Sequence, residues 1–87
     1  MAEVHLPSTL PSVFAGLPRK LEVDAATVAD AIGDLERRWP GLYDRLVEAG
    51  PALRPHINVY VDSVRADLDT PIDARSRVDV ISAISGG

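Results

Sequence analysis

The sequence predicts an α+β domain in which one amphipathic helix packs against a mixed β-sheet. Two short segments with alternating polar and apolar residues come first, a segment with helical spacing of apolar residues follows, and further alternating segments complete the chain. A chain of 87 residues has room for one modest hydrophobic core. We therefore expect residues 1–87 to form a single domain.

The composition excludes several classes of protein. The net charge is -4 and the basic residues are dispersed, which argues against non-specific binding to nucleic acid. The sequence contains no cysteine, so it offers neither a disulfide nor a thiolate of its own. It also lacks a secretory signal pattern and any apolar run long enough to span a membrane. We therefore expect a cytoplasmic protein that binds neither nucleic acid nor a membrane.

The first two predicted strands are short and close together in sequence. Residues 3–7 alternate with period two, so that Val4 and Leu6 face inward, and this strand ends near Pro7 because proline cannot donate a backbone hydrogen bond. A loop follows, and residues 19–23 alternate again. The two strands are expected to form a hairpin.

Helical spacing follows the second strand. Asp24 or Thr27 is expected to cap the start of this helix, and Pro40-Gly41 ends it. A shorter amphipathic helix is predicted over residues 42–49, before Gly50-Pro51. The apolar stripe of the main helix consists of Val28, Ile32, Leu35 and Trp39.

The second half of the chain predicts three more extended segments. Residues 57–61 form the clearest strand because they alternate and are β-branched. A tight turn at Asp62-Ser63 leads to a weaker segment over residues 64–68, and Ile72 then returns to the core. The last strand, residues 78–84, is the most apolar and is therefore expected at the centre of the sheet, parallel to the first strand. This arrangement is the β-grasp, or ubiquitin-like, architecture.

The chain ends in Gly86-Gly87 directly after this strand. Given average glycine usage of about 7%, two terminal glycines occur by chance about one time in two hundred. Glycine has no Cβ, so such a segment can enter a narrow channel and present the carboxylate of Gly87 to an enzyme. We expect residues 85–87 to be a flexible, exposed and reactive tail; the alternative is an inert, frayed end.

Several segments occur in an order that is typical of one family. They are residues 57–61, 68–72 and 78–80, the helix around residues 27–36, and the terminal Gly86-Gly87. With this order the chain resembles the MoaD/ThiS-like sulfur carriers over nearly its whole length. The extra helical turn predicted over residues 42–49 is closer to the MoaD branch of that family.

The resemblance implies a protein co-substrate rather than an enzyme. In this family an E1-like adenylyltransferase uses ATP to adenylate the carboxylate that corresponds to Gly87, and a sulfur donor, either a sulfurtransferase or a persulfide, then converts it to a thiocarboxylate. The sulfur acceptor is an enzyme such as a molybdopterin synthase large subunit, a thiazole synthase or a cysteine-synthase-like enzyme. The carrier itself is expected to bind no cofactor, since ATP is used by the activating partner.

Two other functions remain open at this point. A ubiquitin-like protein modifier would use the same activated Gly87 to form isopeptide bonds with lysines. A non-covalent interaction domain would use its surface alone, with an inert tail.

Alternation in the first and last strands predicts a docking surface for the partners. If Val78 and Val80 face the helix, Ile81 faces the other way, as His5 and Pro7 do in the first strand. Exposed apolar residues beside the tail would let partners bind reversibly, although single exposed apolar residues are also common. The residues expected to contact partners are Pro7, Arg65, Ile81, Ala83, Ile84 and Ser85.

Other reactive constellations are weak in this sequence. His5 and His56 have no cysteine or paired histidine at ligand spacing, so we expect no zinc site. Asp67, Asp69 and Asp73 lack the glycine and the terminal glutamate of a calcium loop. Glycine-rich phosphate loops and nucleophile elbows are absent from the sequence. The terminal carboxylate is therefore the expected reactive group.

Overall fold

The computed structural model describes residues 1–10 and 14–82. The helices are α1 (Val28–Arg38) and α2 (Leu42–Leu46). The strands are β1 (Ala2–His5), β2 (Lys20–Val23), β3 (Val47–Glu48), β4 (Ala52–Leu53), β5 (Ile57–Val61), β6 (Val64–Ala66) and β7 (Arg77–Ser82). None of the helices in these residues is long and apolar enough to cross a membrane.

The main sheet has the strand order β2-β1-β7-β5-β6. The last strand lies at its centre, where β7 pairs in parallel with β1 and antiparallel with β5. The first two strands form an antiparallel hairpin, and β5 and β6 form another. The predicted β-grasp architecture, an α+β fold with a mixed sheet and one main helix, is therefore confirmed.

The core lies between α1 and one face of this sheet. The predicted stripe supplies the helix side, since Val28, Ile32 and Leu35 are each no more than 2% exposed. Trp39 at the end of the stripe is only partly buried. Full burial of one such aliphatic side chain stabilises the fold by about 1.5–3 kcal/mol. The sheet side of the core includes Val4, Val23, Val59, Val78 and Val80.

The start of α1 is fixed by Thr27 rather than by Asp24. The Thr27 side chain accepts a hydrogen bond from the backbone N–H of Asp30 at 3.1 Å, which satisfies one of the free donors at the helix start. The loop between β6 and β7 lies beside this end of the helix, where the Ile72 N–H donates to the Ala26 carbonyl at 2.9 Å. Ile72 is buried, as predicted.

The connection between α1 and α2 depends on one glutamate and one glycine. The Glu36 carboxylate accepts hydrogen bonds from the N–H groups of Gly41 and Tyr43 at 3.1 and 2.8 Å. Gly41 has φ 101°, in the left-handed region that side chains disfavour. This geometry explains why the main helix ends before Pro40-Gly41, as the sequence predicted.

The helix predicted over residues 42–49 is wrong in its second half. Helix α2 ends at Leu46, and Val47–Glu48 instead pair with Ala52–Leu53 as the small β3-β4 hairpin. Val47 is already extended, with φ -124° and ψ 138°, and a β-branched residue favours that conformation. Gly50, with φ 146°, supplies the turn. The spacing of apolar residues could not decide between a longer helix and a strand here, because a buried Val47 is compatible with either.

The other differences concern strand ends. Strand β1 stops at His5 rather than near Pro7, whose carbonyl instead accepts a turn hydrogen bond from Leu10. Strand β6 stops at Ala66 because residues 67–70 form a turn, and β7 begins at Arg77, one residue early. The predicted turn between β5 and β6 is confirmed: its two residues, Asp62 and Ser63, have φ 50° and 71°.

Candidate functional site: the root of the C-terminal tail

The predicted reactive tail follows the central strand of the sheet. Strand β7 reaches Ser82, which is paired with Ile57 at the start of β5. The predicted site residues Ala83, Ile84, Ser85, Gly86 and Gly87 lie outside the described residues. The site can therefore be built from the residues that surround Ser82.

The two faces of β7 differ in exposure, as the alternation predicted. Val78 and Val80 are 2% and 4% exposed and face α1. Ile81 is 46% exposed on the opposite face and is one of the few large apolar side chains on the described surface. Ile81 is thus an exposed apolar side chain one residue before the end of β7.

An open groove of about 520 Å³ lies on this outer face of the sheet, between the ends of β1 and β7 and the start of β2. We call it the tail-side groove. Pro7, Ile81 and Ser82 line it next to the tail, and Arg19, Lys20 and Arg77 line it farther away. The fold thus brings Pro7 and Ile81 to one surface, because β1 and β7 are parallel neighbours.

Arg65, the third residue predicted for the docking surface, is not part of this groove. It lies on β6 opposite Tyr60, which in turn is opposite Asp79. Arg65 is exposed on the same face of the sheet as Ile81, but strand β5 separates them.

The tail-side groove is positively charged although the whole chain has a net charge of -4. Arg77 is paired with Asp79 at 3.1 Å, and the hydrogen bonds that it donates to that carboxylate raise the pKa of the guanidinium. The Arg19 guanidinium makes no ion pair with residues 1–10 or 14–82. The adjacent Arg19 and Lys20 were the available sequence signal, but only the pairing of β2 with β1, and of β1 with β7, brings them to the groove that Ile81 also lines.

Glu3 contacts two side chains that line this groove, His5 and Lys20. Its Oε1 lies 2.6 Å from His5 Nε2, and its Oε2 lies 3.6 Å from Lys20 Nζ. The hydrogen bond from His5 lowers the pKa of the Glu3 carboxyl, and the charge of Lys20 adds to this effect. Glu3 is thus an anion that holds two nitrogen groups along one edge of the sheet.

A smaller groove of about 240 Å³ lies on the other side of Ser82. It is lined by Pro7, Arg45, His56 and Ile57, together with Ser82. In the sequence, the histidine spacing predicted no zinc site at His56, and no pattern pointed to Arg45. Within the described parts of the chain, no group of three or more His, Asp or Glu side chains is arranged to hold a metal ion.

Comparison with known proteins supports the same reading of the fold. The model of the ThiS family matches residues 13–87. Small archaeal modifier protein 3 of Haloferax volcanii is 37% identical over 68 residues, which are 74% of this chain and 73% of that protein. A chain of the BexX/CysO complex from Amycolatopsis orientalis has a TM-score of 0.89 and 28% identity, with 100% of both chains covered.

A second solved structure, SAMP1 of Haloferax volcanii, has a TM-score of 0.80 and 30% identity, with 99% of this chain and 98% of that chain covered. The segments that predicted a MoaD/ThiS-like protein lie within the matched residues. The chain therefore belongs to the ThiS family of ubiquitin-fold sulfur carriers and modifiers.

Proposed function

We propose that this protein is a sulfur carrier whose C-terminal carboxylate, on Gly87, is adenylated by an E1-like enzyme and then converted to a thiocarboxylate. Membership of the ThiS family supports this function. The structural observation behind it is that the tail follows the central strand β7, which carries the exposed Ile81 beside an open groove. The sulfur would then be donated in a biosynthetic reaction.

In this reaction the carrier supplies only the terminal carboxylate. A carboxylate is a poor electrophile, and joining it to AMP creates a good leaving group. Sulfide can then attack the carbonyl carbon, and AMP leaves with the electron pair of the broken C–O bond. A persulfide attacks in the same way through its terminal sulfur and gives an acyl disulfide, and a thiol of the sulfur donor then cleaves the S–S bond to release the thiocarboxylate and leave a disulfide on the donor. ATP and any general base belong to the partner enzymes, so the carrier acts as a co-substrate and needs no bound cofactor. Glycines at positions 86 and 87 leave room for the active site of the partner.

The activating and accepting enzymes need a surface by which to recognise the carrier. We propose that Pro7 and Ile81 provide its apolar part, with Ala83, Ile84 and Ser85 continuing it toward Gly87. Arg65 is kept as a peripheral contact, since it lies on the same face beyond β5. The crystallised BexX/CysO complex is a precedent for a protein of this fold bound to a partner protein.

A second candidate function is protein modification through an isopeptide bond at Gly87. It is favoured by the 37% identity to a protein named as a small archaeal modifier. The activated acyl group would be the same, with a lysine amine in place of sulfur as the nucleophile. A non-covalent interaction domain with an inert tail is the third candidate.

One experiment separates the three. The full chain is incubated with an E1-like enzyme, ATP and a sulfur donor, and its intact mass is measured. Replacement of one oxygen by sulfur at Gly87 supports the carrier, and lysine conjugates in a cell extract support the modifier. A chain that lacks Gly87 is the matched control and should show neither. If the full chain undergoes no ATP-dependent change, the proposed function is wrong.

The receiving pathway is tested with candidate acceptor enzymes. A molybdopterin synthase large subunit, a thiazole synthase and a cysteine-synthase-like enzyme are each offered the thiocarboxylate form. We expect one of them to consume the sulfur and return the free carboxylate, while the others leave the thiocarboxylate mass unchanged. Consumption by none would contradict a biosynthetic role for the carrier.

A further inference from the structure

Another open groove, of about 590 Å³, is lined by residues from the start of α1, from α2, from the β3-β4 hairpin and from the turn after β6. We call it the hairpin groove. Its apolar lining includes Tyr43, Pro51, Leu53 and Leu68. It shares no lining residue with the tail-side groove. A ligand bound here therefore leaves the lining of the tail-side groove free for other partners.

Hydrogen bonds hold the lining of the hairpin groove in place. The Leu68 carbonyl accepts from the Ala29 N–H at 2.8 Å, and the Glu36 carboxylate accepts from the Tyr43 N–H at 2.8 Å. Leu53, Leu68 and Tyr43 also pack against the core while remaining partly exposed. The groove is thus formed before a ligand arrives, which lowers the entropic cost of binding.

The charge on the described lining of this groove is negative. Asp67 and Asp69 lie on either side of Leu68 in the chain, and both are exposed. Within residues 1–10 and 14–82, neither of these carboxylates makes an ion pair or a hydrogen bond. The residues that line the groove include no lysine or arginine in this part of the chain. An apolar surface with two unpaired carboxylates complements a ligand that is both apolar and cationic.

Arginine fits this lining better than lysine. A guanidinium binds a carboxylate through two parallel hydrogen bonds, and it also stacks on aromatic rings such as that of Tyr43. The open shape favours an extended protein segment, because pockets for small molecules bury most of the surface of their ligand. In an extended segment alternate side chains point to the same side. Leucines two residues apart can therefore contact Leu53 and Leu68, while neighbouring arginines reach Asp67 and Asp69.

We infer that the hairpin groove is a second docking site of this protein, and that its ligand is an extended segment of a partner protein with aliphatic side chains next to arginine. The inference does not rest on the proposed function, since none of the groove residues takes part in the chemistry at Gly87. The site gives the protein a binding activity besides the delivery of sulfur.

The test uses a synthetic peptide, Gly-Leu-Arg-Leu-Arg-Gly, blocked at both ends. It is titrated into the isotope-labelled full chain while the amide resonances are recorded by NMR. We expect saturable shifts of the amides of Tyr43, Leu53 and Leu68, and no shift at Ile81 in the tail-side surface. Lysines in place of the arginines should weaken binding, and glutamates in place of the arginines or glycines in place of the leucines should abolish it.

Two variants of the chain test the role of the carboxylates. Asp67→Asn with Asp69→Asn removes both charges but no hydrogen bond of the folded chain, and it should weaken peptide binding about fivefold or more. Glu22→Gln with Asp24→Asn removes two exposed carboxylates outside the groove and is the matched control. The control should bind the peptide as tightly as wild type.

The other outcomes would overturn the inference. Equal loss of affinity in the two variants would show that only net charge matters. Equally tight binding of blocked arginine alone would indicate a site for a small cation, and concentration-dependent shifts of the same amides without peptide would indicate that a second copy covers the groove. A chain that lacks Gly87 should bind the peptide as wild type does. Failure of the proposed function would therefore leave this result unchanged, and absence of peptide binding would contradict the docking site alone.

Discussion

The tail-side groove and the loop end at the start of α1 differ in how their polar groups are used. At the loop end, the backbone satisfies the helix: Val28 N–H donates to the Thr70 carbonyl at 3.0 Å, and Ala29 N–H donates to the Leu68 carbonyl at 2.8 Å. At the tail-side groove, Arg19 has no ion pair within the described residues, and Ile81 is exposed. The backbone polar groups at the loop end are bonded within the domain, whereas Arg19 and Ile81 at the groove are exposed to solvent.

The charged residues of the loop end and of the tail-side groove also differ. Three aspartates near the start of α1 belong to turns, and Asp73 accepts a hydrogen bond from the Arg75 N–H at 2.8 Å. The other two, Asp67 and Asp69, flank Leu68, whose carbonyl binds the helix start. Two adjacent basic residues, Arg19 and Lys20, instead line the groove beside the tail. A chain with a net charge of -4 therefore has a groove with three basic side chains, Arg19, Lys20 and Arg77, on the face of the sheet that exposes Ile81. From this difference we expect that the stability of the domain and its recognition by partners can be changed separately.

The largest expected effect on stability comes from the core beneath both regions. Leu35 is 1% exposed in the middle of α1. Leu35→Ala should lower the free energy of unfolding by about 2–5 kcal/mol, because it removes buried surface and leaves a cavity. Urea denaturation measures this change. Arg37→Ala, an exposed position on the same helix, is the control and should cost no more than about 1 kcal/mol.

The next effect should separate recognition from stability. Ile81→Asp places a charge on the docking surface and should weaken binding of the E1-like enzyme by about tenfold or more, since apolar contacts at the centre of an interface dominate its energy. Titration calorimetry measures the affinity. Val64, which is 67% exposed on β6, provides the matched control. Equal loss of affinity in Val64→Asp would show that the surface next to the tail has no special role.

A smaller effect is expected at the loop end. Thr27→Ala removes the hydrogen bond to the N–H of Asp30 and should cost about 1 kcal/mol of stability. Binding of the activating enzyme should not change, because Thr27 caps α1 and does not line the tail-side groove. Thermal denaturation and the same calorimetric titration measure the two quantities. If Thr27→Ala weakened binding of the activating enzyme without lowering stability, the proposed separation between the loop end and the tail-side groove would be wrong.

The smallest effect concerns Glu3. Its pKa is lowered from the ordinary 4.5, mainly by the hydrogen bond from His5, so its ionised form is favoured in the folded state. The resulting stabilisation is present above pH 4.5 and is lost as the pH falls through the lowered pKa. The stability difference between wild type and Glu3→Gln, measured by denaturation, should therefore shrink on acidification. A difference that is constant with pH would contradict this role.

The sequence predicted the parts of the fold that depend on local pattern. The stripe on α1 and the alternation in β5 and β7 follow directly from hydrophobic periodicity, and the apolar character of β7 explains its central place. The β3-β4 hairpin could not be predicted in this way, because the apolar Val47 fits both the helical spacing and a strand, and its pairing with Leu53 is not visible in the spacing. Hydrophobic periodicity reports local structure and does not show which strands pair.

The same limit applies to the candidate site. Ile81 could be predicted because its neighbours in β7 fix the direction of its side chain. The basic groove could not, since Arg19 and Arg77 are far apart in sequence and meet only through the pairing of β2, β1 and β7. The arrangement of Glu3 between His5 and Lys20 likewise depends on the register of the first hairpin.

The absence of cysteine permits a direct test of the central claim, that Gly87 receives sulfur. After incubation with the E1-like enzyme, ATP and a sulfur donor, the chain is treated with a thiol-alkylating reagent, and the labelled peptide is identified. The account predicts ATP-dependent labelling confined to the terminal peptide, residues 78–87, and none in the chain that lacks Gly87. An absence of label, or label on any other peptide, would contradict it.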